Sequence, residues 1–384
     1  MSYSYKTRSR TNISSWLLLA GLILSGAARA GSSPDRLQDG PYVTRSDAGD
    51  WNAKWLEGTM DAPQVRDQAV KIGDSITVPA VGNLPAFDVE LRGEPSAAPD
   101  EIDVSARVPL FVMADTHGEF EIAVQLLQRQ RVIDEQLRWS FGKGRLAILG
   151  DVFDRGPNHT ELLWLIYKLE AEAARAGGGV HMAIGNHEAM VLAGDERYLN
   201  PKYRYAASVM RVPHAGLWDE QSLLGRWLRA KAAVFRLGPY LCLHGGISRK
   251  VVDRRLTLAE INNAVRDSLH RQQAPNELSE LVMGPAGPLW YRGYFEREAR
   301  AGGFTRAESG DIDLILDTFK VRAVLVGHTA VPNVTSLYDG RVIAVQVYPH
   351  RDKESGAPVM EALSVQRGQM FRARVDGRAE PLSR

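Results

Sequence analysis

The sequence predicts an α/β (α+β) fold, a sheet-rich core layered by helices. Three observations carry that prediction. Short aliphatic runs alternate with stretches of helical period. Polar residues flanked by glycine recur at the carboxyl end of run after run. Towards the C-terminus, glycine-bearing dipeptides mark hairpins, so the tail shifts to antiparallel strands.

The first thirty residues stand apart from that core. Lys6, Arg8 and Arg10 precede the apolar run 16–24, and Ala28-Arg29-Ala30 comes next as a small-x-small site. This is the layout of a secretory signal peptide cleaved after Ala30. The run falls far short of the roughly 20 residues that span a bilayer. The expectation is therefore a periplasmic or secreted chain with no stable membrane anchor after cleavage. Cleavage removes four cations and no anions, turning the net charge of +1 into −3, with 43 basic against 46 acidic residues. That balance gives no general basic footprint for nucleic acid.

Residues 31–105 read as an N-terminal accessory region, rich in Gly, Pro, Asp and Ser. It holds brief strand-like pieces at Ser75–Val78 and Phe87–Leu91, and a linker-like Pro-Ser-Ala-Ala-Pro at 95–99. From 106 to 376 the texture becomes that of the main domain, with 377–384 as a tail. The buried strands are expected at Val108–Ala114, Leu146–Gly150, His181–Gly185, Tyr240–Leu243 and Val321–Gly327. Helical patterns cover Phe120–Arg131, Glu161–Arg175, Glu188–Leu192, Ser222–Lys231 and Leu258–His270. Gly238-Pro239, Asp339-Gly340 and Arg367-Gly368 are expected to turn hairpins. The one cysteine, Cys242, lies in an apolar run and reads as a core residue.

The chemistry lies in the residues just past each core strand. In chain order these are Asp115-Thr116-His117-Gly118, the run 150–156 (GDVFDRG), Gly185-Asn186-His187-Glu188, His244-Gly245-Gly246 and Gly327-His328. Ligands in α/β sheets bind beyond the carboxyl ends of strands. Asp, His and Asn together offer hard oxygen and imidazole donors that suit Mn, Fe or Zn. A carboxylate such as Asp151 can bridge two cations, and two cations about 4 Å apart acidify a water and neutralise a phosphoryl group under in-line attack. A lone Asp-x-His says little. The ordered set of five, each after a strand, predicts a site for two divalent cations.

These motifs resemble the calcineurin-like metallophosphoesterases. GDVFDRG with GNHE after it is similar to their phosphoprotein-phosphatase branch. With the leader, Asp39-Gly40-Pro41-Tyr42 and the run 287–293 (GPLWYRG), the pattern resembles the bacterial Shewanella-like phosphatases. The resemblance covers about residues 106–345. It implies a β-sandwich of two mixed sheets flanked by helices. It also implies one cation on Asp115, His117 and Asp151, and a second on Asp151, Asn186, His244 and His328. His187 would be the general acid, with Asp154 orienting and charging it. Arg155 would bind phosphate, and Arg292 is chosen as a second phosphate arginine by its place in the run 287–293. Glu188 is expected to support the turn and not to bind metal. Ala330 stands where many two-metal phosphoesterases carry another histidine, which the phosphatase branch also lacks. The run Ala344 to Pro349 departs from the aspartate and glycine that related enzymes often carry there.

The implied activity is hydrolysis of phosphate monoesters, on a phosphorylated protein (Ser/Thr or Tyr phosphate) or a small ester, by attack of the acidified water. One alternative keeps the metals but acts on dinucleoside polyphosphates or phosphodiesters. Another is a non-catalytic metal-dependent binding protein, which the filled set of catalytic positions opposes. The excursions 196–232 and 250–318 are expected to pass over the site, with Tyr198, Tyr203, Tyr205, Trp218, Trp290, Tyr291 and Tyr294 as possible wall residues. His159, His181, His214, His270 and His350 read as structural or surface groups. Asn158 and Glu161 form a capping-box pattern at a helix start.

Overall fold

A computed structural model describes residues 37–269, 274–296 and 304–383. The leader reading of residues 1–30 and the histidine His270 lie outside them. No helix among the described residues is long and apolar enough to cross a membrane.

Two six-stranded sheets form the core. One takes β7 (Leu110–Met113), β8 (Arg145–Ile148) and β9 (Gly179–Met182) in parallel. It is extended antiparallel from β7 by β17 (Glu361–Gln366), β18 (Gln369–Arg374) and β19 (Ala379–Pro381). The other runs in the order β13 (Thr335–Leu337), β14 (Val342–Ala344), β12 (Ala323–Val326), β11 (Tyr240–Leu243), β10 (Val234–Leu237) and β6 (Glu101–Ile102). Both sheets are mixed, as the resemblance implies.

The alternation of buried side chains shows why these strands read as continuous apolar runs. Leu110, Val112, Ala147, Leu149, Cys242, Ala323, Leu325, Ile343 and Leu363 fill the space between the sheets. Their neighbours Phe111, Met113, Leu146, Ile148, Leu241, Leu243, Val324 and Val326 face the helices in a second cluster. Strands covered on both faces lose the polar half of the two-residue period. Cutting Leu325 back to Ala would cost about 2–5 kcal/mol, the usual range for a buried leucine. Cys242 sits in this core, where burial pushes its thiol well up.

The helical layer includes α1 (Phe120–Arg129), α2 (His159–Arg175), α3 (Asn186–Leu192), α4 (Pro201–Met210), α5 (Leu223–Arg229), α6 (Arg249–Val252), α7 (Leu258–Arg266), α8 (Glu277–Met283) and α9 (Ser309–Phe319). The three expected hairpins form at β10–β11, β13–β14 and β17–β18. At the last, Arg367 and Gly368 both take positive φ (51° and 80°), the twist-matched geometry of a two-residue hairpin.

In the accessory region the two expected strand-like pieces form a hairpin, β4 (Ser75–Val78) and β5 (Phe87–Glu90), while β1 (Asp39–Arg45), β2 (Trp51–Gly58) and β3 (Pro63–Val70) form an antiparallel sheet that the sequence reading did not list, and β6 joins the core sheet. Two local readings differ from the structure. The tail supplies β19 as an edge strand, because its backbone can continue the ladder from β18. Asn158 caps no backbone N–H with its side chain, and buried Glu161 turns to Lys202 Nζ at 3.5 Å, so the capping box does not form.

Candidate metal centre

Loops at the carboxyl ends of β7, β8, β9, β11 and β12 bring the five motifs together. Asp115, His117, Asp151, Asn186, His187, His244 and His328 are all buried. The backbone is bent to achieve this. Asp115, His117, Asp151, Asp154, Arg155 and His328 have φ between 44° and 68°, the left-handed region that L-residues avoid. Each such residue costs on the order of 1–3 kcal/mol and persists only where its surroundings over-determine it. A Cβ on Gly185 would stand 2.2 Å from Asp151 Oδ1, so only glycine lets the β9 loop pass this carboxylate.

Glu188 supplies much of the restraint. Its two carboxylate oxygens accept the backbone N–H groups of Asp151 (2.8 Å), Val152 (2.7 Å), Phe153 (3.3 Å) and Gly185 (2.7 Å). It stitches the β8 and β9 loops, which is the supporting role the sequence suggests.

The imidazoles are prepared as ligands. His117 Nδ1 lies 2.9 Å from the Phe153 carbonyl and His244 Nδ1 lies 2.7 Å from that of Leu149. A carbonyl only accepts, so both rings carry their proton on Nδ1 and turn Nε2 inward. Asp151 Oδ2 is the hub: it lies 3.1 Å from His244 Nε2, 3.8 Å from His117 Nε2 and 3.9 Å from His187 Nε2. His244 Nε2 is also 2.9 Å from Asn186 Oδ1 and 3.1 Å from His328 Nδ1. His117 Nε2 is buried with no hydrogen-bond partner.

Converging lone pairs of this kind need positive charge between them. Burial pushes His117 down to about 3 and holds His328 well below the usual imidazole range, so both are neutral and able to ligate. Burial opposes the charge on His244, but Asp151 and Asp115 raise it to about 9, so a proton there does the neutralising work a cation would do. Burial lifts Asp115 to about 7. The residues fit divalent cations by donor type as well as by geometry.

Among the described residues, two groups offer three ligand atoms all within 4.8 Å of one another: His117, Asp151 and His187, and Asp151, His244 and His328. Asp151 belongs to both, as a bridging carboxylate must. Asp115 is outside both. Its Oδ1 accepts the His328 N–H at 3.0 Å and lies 3.9 Å from His244 Nδ1.

His187 Nδ1 lies 2.6 Å from Asp154 Oδ2, with both side chains buried. Burial works against a charged imidazole here, but Asp151 and Asp154 outweigh it and hold His187 above the usual range. Arg155 is exposed beside these buried residues. Its guanidinium carbon is 5.8 Å from the Tyr198 ring centre and 5.5 Å from that of Tyr348. Arg292 reaches the site and is pinned to it: Nη1 donates to the His328 carbonyl (2.9 Å) and to Thr329 Oγ1 (3.2 Å).

Of the expected wall residues, Tyr198 stands 5.1 Å from the His187 ring and Trp290 stands 5.8 Å from the His328 ring, both as centre distances. Tyr203, Trp218, Tyr291 and Tyr294 are buried in packing, and the Tyr205 hydroxyl bonds the Met60 carbonyl. The residue missed by sequence is Tyr348, 5.9 Å from the His117 ring in the very run that departs from the related enzymes.

A model of the calcineurin-like phosphoesterase family matches residues 108–332. Shewanella-like protein phosphatase 2 of Arabidopsis thaliana is 24% identical over 302 residues, 67% of this chain and 75% of that protein. Shewanella-like protein phosphatase 1 of Plasmodium berghei is 25% identical over 243 residues, 58% of this chain and 62% of that protein. A crystal structure described as the cold-active protein-tyrosine phosphatase of a psychrophilic Shewanella species superposes with a TM-score of 0.77 at 31% identity, covering 90% of this chain and 99% of that one.

Proposed function

The chain belongs to the calcineurin-like phosphoesterase family and hydrolyses phosphoesters, and from that premise we propose a two-cation phosphoprotein phosphatase with a preference for tyrosyl phosphate. The observation that carries the cation site is the convergence of His117, His187, His244 and His328 on one buried carboxylate, Asp151.

Asp115, His117 and Asp151 hold one cation in this reading, and Asp151, Asn186, His244 and His328 the other. Bound divalent cations supply positive charge to the phosphoryl oxygens and acidify the attacking water. The residues of the chain do the rest. Arg155, exposed at the mouth, grips phosphate oxygens with its planar guanidinium. Arg292 adds charge beside His328. His187, held charged by Asp154, gives its proton to the leaving oxygen.

The preference for tyrosyl phosphate is supported by Tyr198 and Tyr348, whose rings flank Arg155 and offer faces to an aromatic leaving group. The solved Shewanella structure, described as a tyrosine phosphatase, agrees in kind. The charged His187–Asp154 pair favours this reading over a dinucleotide hydrolase. The purified protein, assayed on phosphotyrosyl and phosphoseryl peptides and on a dinucleoside tetraphosphate, tests it. Turnover highest on the phosphotyrosyl peptide is expected, and a larger kcat/KM on the tetraphosphate would overturn it. The leader-like residues 1–30 support export. The mass of the protein recovered from its producing cell checks this, with an N-terminus at or near Gly31 expected and retention of residues 1–30 counting against it.

A further inference from the structure

The arginine that grips phosphate is exposed between buried Asp154 and Gly156, and its backbone is strained. Asp154 and Arg155 have φ of 68° and 62°. On one side the loop rests on the β7 motif, through Gly156 N–H donating to the His117 carbonyl at 2.8 Å. On the other side it is held by one short stretch, residues 198–203. Arg155 N–H donates to the Tyr198 carbonyl at 3.0 Å. Asn200 Nδ2 donates to the Arg155 carbonyl at 2.7 Å. Lys202 Nζ and the Tyr203 hydroxyl both donate to the Pro157 carbonyl, at 2.8 and 2.9 Å.

Lys202 is not a free surface lysine. Its side chain is 17% exposed, with Nζ 3.2 Å from Asp39 Oδ1 and 3.5 Å from Glu161 Oε1. Asp39 is fully buried at the start of β1, and its other oxygen accepts the Tyr42 hydroxyl at 2.5 Å. Two buried carboxylates and a buried ammonium are costly unless they satisfy one another, and here they meet at the carbonyl that ends the arginine loop. They therefore run as a chain of contacts from the N-terminal sheet to Arg155.

We propose that Asn200 and Lys202 are positioning residues for Arg155, and that the N-terminal sheet takes part in catalysis by seating Lys202 through Asp39. The proposal rests on Arg155 gripping phosphate. Without the two donors the strained loop relaxes, and the guanidinium leaves the place where phosphate oxygens arrive. This assigns the accessory region a function, which is to complete the phosphate grip from outside the metal centre.

The test is inhibition by inorganic phosphate, together with kcat and KM, in Asn200→Ser, Lys202→Met, Arg155→Ala and the double variant Arg155→Ala/Asn200→Ser. Serine keeps the acceptor that caps the Lys202 N–H but is too short to reach the Arg155 carbonyl. Asn200→Ser should therefore leave the thermal midpoint in place and weaken phosphate inhibition about 10-fold, within the roughly 10²-fold that a 1 Å misplacement costs. The double variant should be no weaker than Arg155→Ala alone, because a strap has nothing to position once the guanidinium is gone. Metal content should match the parent throughout. If Arg155→Ala weakens phosphate inhibition but Asn200→Ser does not, or if the two losses multiply, the positioning role is wrong. If Arg155→Ala itself changes nothing, the phosphate-gripping reading fails and this proposal with it. Lys202→Met strands two buried carboxylates, so where it does not fold Asn200→Ser decides alone.

Discussion

Glu188 Oε2 accepts the backbone N–H of Asp151 at 2.8 Å, and the same carboxylate holds three further N–H groups of the two loops that carry Asp151 and Asn186. Asp151, the proposed bridging carboxylate, is thus held through its backbone N–H by a second carboxylate. Glutamine in that position would put an amide N–H₂ against N–H donors and leave two of them without an acceptor. Glu188→Gln should lower the stability of the folded state by about 3–6 kcal/mol, since each of the two lost hydrogen bonds to a charged group is worth about 1.5–3 kcal/mol. It should also lower metal content. Denaturant titration and metal analysis of the same preparation check both, and a variant with parental stability would show that the loops hold themselves.

Removing metal should cost stability as well as activity. His117 Nε2 is buried without a partner, and the Nε2 of His244 and one oxygen of Asp151 face each other at 3.1 Å with only a proton to separate their charge. Binding to the folded state alone raises stability by RT ln(1 + [L]/Kd), about 2.7 kcal/mol per site at a hundredfold excess over Kd. Chelation should therefore abolish hydrolysis and lower the melting temperature, and Mn should restore both at two ions per chain. Full activity in a preparation shown to be free of metal, or saturation at one ion, would contradict the two-cation reading.

The aromatic wall makes a separable prediction. Tyr198 is exposed, and its ring lies 5.1 Å from that of His187. Tyr198→Ala should lower kcat/KM on a phosphotyrosyl peptide by about 0.5–1.5 kcal/mol, roughly 2- to 10-fold, the worth of one aromatic pair. A phosphoseryl peptide has no ring to lose contact with and should change little. An equal loss on both peptides would mean that Tyr198 acts through the Arg155 loop, whose N–H its carbonyl accepts.

How much of this could be read in the sequence depended on how local each signal was. Asp115, Asp151, Asn186, His244 and His328 each come within a few residues of their own strand, so the strand pattern and the motif announced them together. The sandwich strands were legible because both faces are apolar. Tyr348 was not legible. Nothing in the run 344–349 says that its tyrosine comes back beside Arg155, a contact made only by the closed sheets. The capping-box pattern at Asn158 and Glu161 was locally sound and lost to tertiary context. Lys202, 41 residues away, offers Glu161 a buried charge that a backbone N–H does not match. The sheet β1 to β3 escaped for another reason: β3 is exposed over most of its length and largely polar, and β1 opens on Asp39-Gly40-Pro41, so apolar content alone did not mark a sheet.

The short pairing of His187 Nδ1 with Asp154 Oδ2, at 2.6 Å, yields the sharpest test of mechanism. Asp154 fixes the ring so that Nδ1 faces its carboxylate and Nε2 is turned towards Asp151, where the proposed reading brings the phosphate, and it favours the charged form that can give up a proton. A donor matters in proportion to how poorly the leaving group departs. An alkoxide such as that of serine leaves badly without a proton, whereas p-nitrophenolate leaves readily. Loss of a general acid typically costs about 10²–10⁴-fold where it is needed. His187→Asn should therefore slow an alkyl phosphate by about that factor and p-nitrophenyl phosphate far less. Asp154→Asn should shift the two substrates in the same direction by a smaller ratio, because the imidazole remains but is no longer held charged. Metal content is measured alongside, since His187 Nε2 also lies 3.9 Å from Asp151 Oδ2. Equal slowing of both substrates with two cations still bound would assign His187 to positioning the phosphate, and loss of a cation in His187→Asn would make it a ligand.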